Sequence, residues 1–197
     1  MKLFWSPRTR AARAVWMLEE AGVPYERVLV DIRSPDRDDD SEFVAASPMG
    51  KVPALLDGDV RMSESAAICL YIADKYRDNE LSPHIDDPDR GRFLYWMVFT
   101  PGVIEPAMAD KFRGLETNRF QSGWGDFDLM IETLENGLQD GPWLLGERFS
   151  AADVMVGSSA VFMIQFDMLP DSKVIEDYAA RCLGRPAYQR ALEGEED

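Results

Sequence analysis

The fold of this chain is decided by residues 47–65, which read SPMGKVPALLDGDVRMSES. The Asp57-Gly58 pair between two short apolar runs is a strong local signal for a β-hairpin. Pro53 stands at the first position of the first predicted strand, where the missing N–H of proline is tolerated. A helical pattern begins at Glu64-Ser65. The stretch therefore predicts strand, turn, strand and helix in immediate succession.

The same stretch predicts a docking edge for an extended peptide. If the Val52–Pro53 bond is cis, the chain turns sharply and leaves the N–H and C=O groups of Val52 pointing outward. An extended peptide then pairs with Val52 as an added strand does. At Glu64-Ser65, the backbone N–H groups and the dipole of a helix N-terminus favour a carboxylate. The hairpin thus combines an edge for a peptide backbone with a socket for an acid group.

The composition is typical of a globular protein in a reducing compartment. The chain has 197 residues, of which 46% are hydrophobic and 29% charged, enough for one large or two small domains. No apolar run approaches the ~18 residues of a membrane span, and the first seven residues are too short for a secretory signal. Cys69 and Cys182 match no metal-site spacing, and the single histidine is His84. We therefore expect a cytoplasmic protein with no metal.

The net charge of −15 is distributed unevenly. Residues 1–77 carry 11 Lys and Arg against 13 Asp and Glu, a net charge of −2, whereas residues 78–197 carry 10 against 23, a net charge of −13. Such a chain repels nucleic acid and anionic membranes, and solubility is the simplest use of the charge. Against this background the basic cluster of Arg8, Arg10 and Arg13 stands out.

The pattern predicts three parts: a first domain over residues 1–77, a linker over 78–88 and a helical domain over 89–197. The linker contains two prolines and four acidic residues. In the first domain the order is β-α-β followed by β-β-α. Its elements are predicted at residues 1–5 and 25–32 for strands, 10–21 and 64–76 for helices, and 33–42 for a charged loop with a short irregular helix after it.

Beyond the linker, the spacing of apolar residues is helical and no strand of any length is predicted. The predicted helices cover residues 90–112, 127–138, 151–166, 174–182 and 186–192. Pro101 and Pro106 should kink or split the first of them, because each proline removes a helix hydrogen bond. The predicted fold class is therefore α/β followed by all-α.

A second candidate site lies where the first strand joins the first helix, at residues 5–13, WSPRTRAAR. Ligands of open α/β sheets collect at the carboxyl ends of strands, where helix N-termini point. Ser6 and Thr9 supply hydroxyl groups there. A hydroxyl that donates to a bound thiol favours the thiolate, and the helix dipole adds to this effect. A simple helix cap is the other interpretation, although a cap does not require the arginines of this loop.

Over nearly its whole length the chain resembles the cytosolic-type glutathione S-transferases, of the kind with a serine or threonine in the N-terminal loop. The strongest match is GKVPAL at residues 50–55 with SES at residues 63–65. FSAAD at residues 149–153 resembles the family's buried capping box. The resemblance implies a thioredoxin-like N-terminal domain and an all-helical C-terminal domain. It also implies a homodimeric detoxification enzyme with glutathione as its co-substrate.

The resemblance carries the family's glutathione contacts onto particular residues of this chain. Val52, which precedes the cis-proline Pro53, pairs with the cysteinyl backbone of glutathione. Glu64 meets the γ-glutamyl ammonium, and Ser65 meets the γ-glutamyl carboxylate. Lys51 is a candidate for the glycyl carboxylate.

The catalytic residue that the resemblance implies is Thr9, with Ser6 as the second choice. Thr9 falls where the family's serine stands when the loops are aligned without a gap, and its extra methyl group restricts the rotamer. Phe4 and Trp5 exclude the tyrosine-type enzymes, and a loop without cysteine excludes the cysteine type. A free thiol has a pKa of about 8.5, so lowering it by ~2 units makes most of it thiolate at neutral pH.

The expected reaction is conjugation of the glutathione thiolate to a small hydrophobic electrophile. Candidates for an electrophile pocket are Phe99, Val103, Met108 and Phe112, for which ordinary core packing is the alternative. Arg10, placed with the glutathione-binding residues, either assists an anionic electrophile, or is a solvated charge, or forms an ion pair with an acid of the helical domain. Two other functions stay open, a non-catalytic binding or assembly module of the same fold and a glutathione-dependent peroxidase or dehalogenase.

Overall fold

The computed structural model describes residues 1–34 and 41–193. Contacts divide the chain into a first unit, Met1–Leu81 with Pro186–Asp197, and a second unit, Ser82–Arg185. This division differs from the predicted domains, residues 1–77 and 89–197, in two ways. The first unit extends to Leu81, and the last helix groups with the first unit and not with the helices that precede it. An α/β region followed by helices is confirmed as the fold class.

The first unit is built on a four-stranded sheet with the order β2-β1-β3-β4. Its strands are β1 (Lys2–Trp5), β2 (Glu26–Leu29), β3 (Ala54–Asp57) and β4 (Val60–Ser63). β1 pairs in parallel with β2 and antiparallel with β3, and β3 pairs antiparallel with β4. The predicted β-α-β unit and terminal hairpin are therefore confirmed, with β2 shorter than the predicted strand.

The hairpin turn lies one residue later than the sequence predicts. Asp57 pairs with Val60 across the hairpin, so the two loop residues are Gly58 and Asp59. Gly58 has a φ of +61°, a left-handed conformation that glycine adopts without a steric penalty. The two-residue loop and its left-handed Gly58 go with this register of β3 against β4.

Four α-helices of the described part belong to the first unit, together with a short 3-10 helix, Arg77–Asn79. They are α1 (Ala11–Ala21), α2 (Ser41–Ala46), α3 (Ser65–Lys75) and α9 (Pro186–Leu192). The helix α2 is the short helix predicted after the charged loop, of which residues 35–40 lie outside the described residues. α1 packs against β1, α3 and α9. Together these helices bury the apolar face of α1 that the spacing of Ala14, Val15 and Leu18 predicts.

The last helix is attached to α1 by ring packing and by hydrogen bonds. Tyr188 meets Trp16 edge to face, with 4.8 Å between the ring centroids. The Arg190 Nε group donates to Glu19 Oε2 at 3.0 Å, and Arg27 Nη1 donates to the Glu193 carbonyl at 2.8 Å. These contacts between distant parts of the chain explain why α9 groups with the first unit.

The second unit is helical. Its helices are α4 (Arg90–Phe99), α5 (Glu105–Arg113), α6 (Phe127–Gly137), α7 (Ala151–Gln165) and α8 (Lys173–Leu183). A π-helical turn, Thr100–Ile104, divides the single helix predicted over residues 90–112. Pro101 has no N–H to donate within this turn, so the α-helical hydrogen bonding changes where a proline was predicted to disturb it, whereas Pro106 lies in the first turn of α5. None of the helices in residues 1–34 and 41–193 combines the length and apolarity that a membrane crossing requires.

Candidate functional site

Three predicted segments converge on one edge of the sheet in the first unit. Phe4 pairs with Ala54, and Ala54 pairs with Ser63. The segment after β1, the segment before β3 and the segment after β4 therefore leave the sheet side by side, because neighbouring strands lie about 4.8 Å apart. These segments carry all the predicted glutathione-binding and catalytic residues, which are Ser6, Thr9, Arg10, Lys51, Val52, Pro53, Glu64 and Ser65.

The segment before β3 presents backbone polar groups that the protein itself does not use. The Val52–Pro53 peptide bond is cis, which is the condition for the predicted docking edge. No described residue hydrogen-bonds to the N–H or C=O of Val52, whose side chain packs against the core cluster around Phe4. Pro53 is buried, whereas the side chain of Lys51 is exposed. Val52 is thus anchored through its side chain, and its backbone stays available to a ligand.

The segment after β4 places an acid and a hydroxyl at the start of α3. Glu64 is the residue before the helix and has a φ of 72° and a ψ of 115°. A non-glycine residue in such a conformation costs of order 1–3 kcal/mol. The Glu64 side chain is exposed and makes no capping hydrogen bond. The hydroxyl of the largely buried Ser65 also has no partner among the described residues. Both groups remain free at the positive end of α3.

The segment after β1 holds two hydroxyl groups in different states. Thr9 Oγ1 donates to the Ser6 carbonyl at 2.7 Å and accepts from the Ala11 N–H at 3.1 Å, so it braces the loop and caps the start of α1. The Ser6 hydroxyl has no partner within the described part of the chain, and Ser6 is 8% exposed. Arg8 adopts a left-handed φ of 57°. The loop therefore offers one engaged hydroxyl and one unengaged hydroxyl.

The cationic side chains of these segments differ in their exposure. Arg8, Arg10 and Lys51 are exposed, whereas Arg13, the third arginine of the predicted cluster, is buried on α1. The exposed cations suit an anionic group of a ligand near the sheet edge. The buried Arg13 cannot serve a ligand at the surface, so it belongs to the packing of α1.

The predicted electrophile-pocket residues belong to the second unit, where their burial differs. Phe99 ends α4 and is buried, and Val103 is half-buried in the π-helical turn. Met108 is half-buried in α5, and Phe112 near the end of α5 is 76% exposed. Phe99 is therefore mainly a core residue, whereas Phe112 presents an apolar ring to its surroundings.

Neither cysteine is placed to react. Cys69 and Cys182 are free and buried. Burial raises the pKa of the Cys69 thiol to about 12, and burial, followed by the nearby Asp153, also raises the pKa of Cys182. Both thiols stay protonated at neutral pH, so neither is a nucleophile. Among the described residues, no group of His, Cys, Asp or Glu is arranged to hold a metal ion.

Sequence reasoning missed the part played by Ser47. Its side chain hydrogen-bonds to both backbone polar groups of Lys51, the residue before Val52. The one signal in the sequence was the position of this serine in the turn that leads to Gly50. A local bond from a serine side chain to the backbone is common in turns, but its partner depends on the turn geometry.

Both halves of the chain match family models of known proteins. Residues 1–74 match the family model of the glutathione S-transferase N-terminal domain, and residues 93–179 match that of the C-terminal domain. Glutathione S-transferase 3 of Schizosaccharomyces pombe is 30% identical over 212 residues, covering 96% of this chain and 85% of the relative.

Two solved structures extend the similarity to the whole fold. The bacterial glutathione S-transferase BphK, solved as a ternary complex, superposes with a TM-score of 0.83 at 25% identity, covering 100% of both chains. A sphingomonad glutathione S-transferase, solved in complex with glutathione, superposes with a TM-score of 0.79 at 27% identity, covering 100% of this chain and 99% of the other.

Proposed function

The chain belongs to the glutathione S-transferase family, and we propose that it transfers the glutathione thiolate to a small hydrophobic electrophile. Glutathione is the co-substrate. The observation that carries the proposal is the unpaired backbone of Val52 beside the unpaired side chains of Glu64 and Ser65. A fold that needed these groups for its own stability would have satisfied them, since unpaired polar groups are unfavourable unless solvent or a ligand completes them.

Glutathione binding is proposed to use the backbone of one segment and the side chains of the next. The N–H and C=O of Val52 pair with the cysteinyl residue as in an added strand. Glu64 accepts from the γ-glutamyl ammonium, while the hydroxyl and N–H of Ser65 donate to the γ-glutamyl carboxylate. Lys51 meets the glycyl carboxylate. The conformation of Glu64 supports this role, because backbone strain is concentrated where ligands bind.

Activation of the thiol is proposed at the start of α1, with Thr9 as the donor and Ser6 as the second candidate. The thiol proton passes to solvent, and a hydroxyl and the helix dipole stabilise the thiolate. To act on sulfur, the Thr9 hydroxyl must rotate away from the Ser6 carbonyl. The Ser6 hydroxyl needs no such exchange, which is the observation that keeps it as a candidate.

The chemical step forms one bond between sulfur and carbon. A lone pair of the thiolate attacks the electrophilic carbon, and the leaving group departs with the electron pair of its broken bond. We propose that Phe99, Val103, Met108 and Phe112 supply the apolar surroundings of the electrophile. The exposed Arg10 is proposed beside glutathione, where it also favours an electrophile with a negative charge.

The proposed assembly is a homodimer in the cytoplasm. Leu94, Tyr95 and Val98 form an exposed apolar stripe on α4, and Val98 is 65% exposed. A contiguous apolar surface of this kind is typical of an interface. The two free, buried cysteines fit a reducing compartment. A light-scattering mass twice that of the 22.3 kDa chain tests the dimer.

Retention on immobilised glutathione, with the melting temperature in free glutathione, tests the proposed binding. We expect retention, elution by free glutathione and a rise in melting temperature, because a ligand of the native state stabilises it. Flow-through without a thermal shift would remove the basis of the proposal. An activated aryl halide then tests transfer and a hydroperoxide tests peroxidase activity. Binding without any turnover would favour the non-catalytic module.

A further inference from the structure

Ser47 uses all of its hydrogen-bonding groups to connect the end of α2 to Lys51. Its N–H donates to the Phe43 carbonyl at 2.8 Å, and its C=O accepts from the Gly50 N–H at 2.8 Å. Its hydroxyl donates to the Lys51 carbonyl at 2.7 Å and accepts from the Lys51 N–H at 2.9 Å. One buried serine therefore satisfies both polar groups of the residue that precedes Val52.

The turn that Ser47 closes depends on a left-handed glycine. Gly50 has a φ of +62°, which brings its N–H back to the Ser47 carbonyl and Lys51 within reach of the hydroxyl. Ser47 is only 1% exposed, so its bonds are shielded from competing water. A shielded side chain with two bonds to one residue fixes the position of that residue more firmly than solvent does.

The backbone groups of Lys51 are bonded within the described part of the protein, whereas those of the next residue, Val52, are not. The N–H and C=O of Lys51 are both taken by Ser47, whereas no described residue takes those of Val52. A ligand that pairs with Val52 therefore meets a pre-positioned edge and does not lose the entropy of ordering it. Without Ser47, Lys51 has two polar groups to satisfy, and the loop that presents Val52 becomes free to reorient.

We propose that Ser47 is a positioning residue for glutathione, which acts by holding Lys51 so that the backbone of Val52 faces the substrate. The inference rests on the proposed function. Ser47 does not touch the substrate, and its effect passes through Lys51. Loss of the Ser47 hydroxyl therefore weakens the binding of glutathione and leaves the rate of the chemical step unchanged.

The test is Ser47→Ala, read as a split between KM and kcat. We expect the KM for glutathione to rise about tenfold, the scale of a lost buried hydrogen bond or two, while kcat at saturating glutathione and the KM for the aryl halide stay within twofold. Ser159→Ala is the matched control, since Ser159 is also buried and donates to a backbone carbonyl, that of Met155 at 3.2 Å. It should change stability without changing the KM for glutathione.

Two further measurements test whether Ser47 holds Lys51. Amide exchange of Lys51 should accelerate about tenfold in Ser47→Ala, because its N–H loses the bond to Ser47 Oγ. If Ser47→Ala does not fold, Gly50→Ala strains the same turn and should raise the KM for glutathione in the same way. An unchanged KM in a folded variant overturns the proposal, as does unchanged exchange at Lys51. If the wild type does not bind glutathione by calorimetry, the proposed function fails, whereas the exchange measurement still decides whether Ser47 holds Lys51.

Discussion

The N-termini of α3 and α7 each carry a serine and an acidic residue, and they use them in opposite ways. Before α7, Ser150 and Asp153 form a capping box that is fully buried. Before α3, Glu64 is exposed with a left-handed backbone, and Ser65 leaves its hydroxyl without a partner among the described residues. The polar groups of the first pair are bonded within the fold, whereas the side chains of the second pair have no hydrogen-bond partner among the described residues.

The hydrogen bonds of Asp153 show how complete the first arrangement is. Its carboxylate accepts from the N–H groups of Leu144 and Ser150, at 3.0 and 2.9 Å, and from the hydroxyls of Ser150 and Tyr178, at 3.2 and 3.0 Å. A helix N-terminus with polar residues is therefore a candidate binding site only where its own polar groups are unsatisfied. The start of α1 lies between these extremes, since Thr9 is engaged and Ser6 is not.

Asp153→Ala should produce the largest effect on stability. The substitution leaves four buried donors without their acceptor, so we expect the unfolding free energy to fall by about 3–5 kcal/mol. Urea denaturation measures this loss, and calorimetry below the melting transition should find glutathione affinity unchanged. Asp128→Ala is the matched control, because Asp128 is an exposed acid in the first turn of α6. A loss below about 1 kcal/mol for Asp153→Ala would contradict the view that this pair belongs to the fold.

The pH dependence of stability is a second test of the buried Asp153 at the N-terminus of α7. Burial raises the pKa of Asp153 to about 6, against the lowering effect of its hydrogen bonds. Because the folded-state pKa lies above the unfolded value of 3.8, the group's contribution is fully present below pH ~4 and is lost as the pH rises through 6. We expect wild type to lose up to ~3 kcal/mol over this window relative to Asp153→Asn, which does not titrate. Parallel denaturation curves of the two proteins from pH 4 to 7 would refute this assignment.

Glu64→Ala should affect binding and spare stability. Loss of the charged hydrogen bond to the γ-glutamyl ammonium should weaken glutathione binding by ~2–3 kcal/mol, as measured by calorimetry. The melting temperature without glutathione should not fall, since the Glu64 side chain makes no hydrogen bond in the structure described. The control is Glu80→Ala, another exposed glutamate with a positive φ, 54°, in the same unit. An unchanged dissociation constant for Glu64→Ala would show that Glu64 does not bind glutathione. The N-terminus of α3 would then differ from that of α7 in structure but not in use.

The sequence predicts the presence of these helix N-termini better than it predicts their use. The Ser150-to-Asp153 spacing and the apolar run after Ser65 are local patterns, and both predicted helices form. Whether a carboxylate is buried and bonded depends on residues far away in the chain, such as Tyr178 against Asp153. Spacing alone contains no information about that contact.

The same limit explains the details that sequence reasoning did not find. The bond from Ser47 to Lys51 requires the left-handed turn at Gly50, and the engagement of Thr9 with the Ser6 carbonyl requires the fold of a loop in which Arg8 is left-handed. The position of α9 beside α1 depends on Trp16 and Tyr188, which are far apart in sequence. Local pattern therefore predicted the elements and most of their order, and tertiary contact decided which polar groups stay available.

The smallest expected effect, and the one that locates the start of α1 in this comparison, belongs to Thr9. Thr9→Val keeps the shape and removes both hydrogen bonds of the hydroxyl, so we expect about 1 kcal/mol lower stability from the lost cap. If the hydroxyl also acts on sulfur, kcat should fall about tenfold while the KM for glutathione stays within twofold. Thr9→Ser should restore both the stability and kcat.

Ser6→Ala is the opposing variant. The Ser6 hydroxyl has no partner to lose within the described residues, so its removal should not change the melting temperature. If kcat falls for Ser6→Ala and not for Thr9→Val, Thr9 serves only as a helix cap, as Ser150 does before α7. Ser6 would then be the group that acts on sulfur, because the Thr9 hydroxyl, already bonded to the backbone, would have no part in the chemistry.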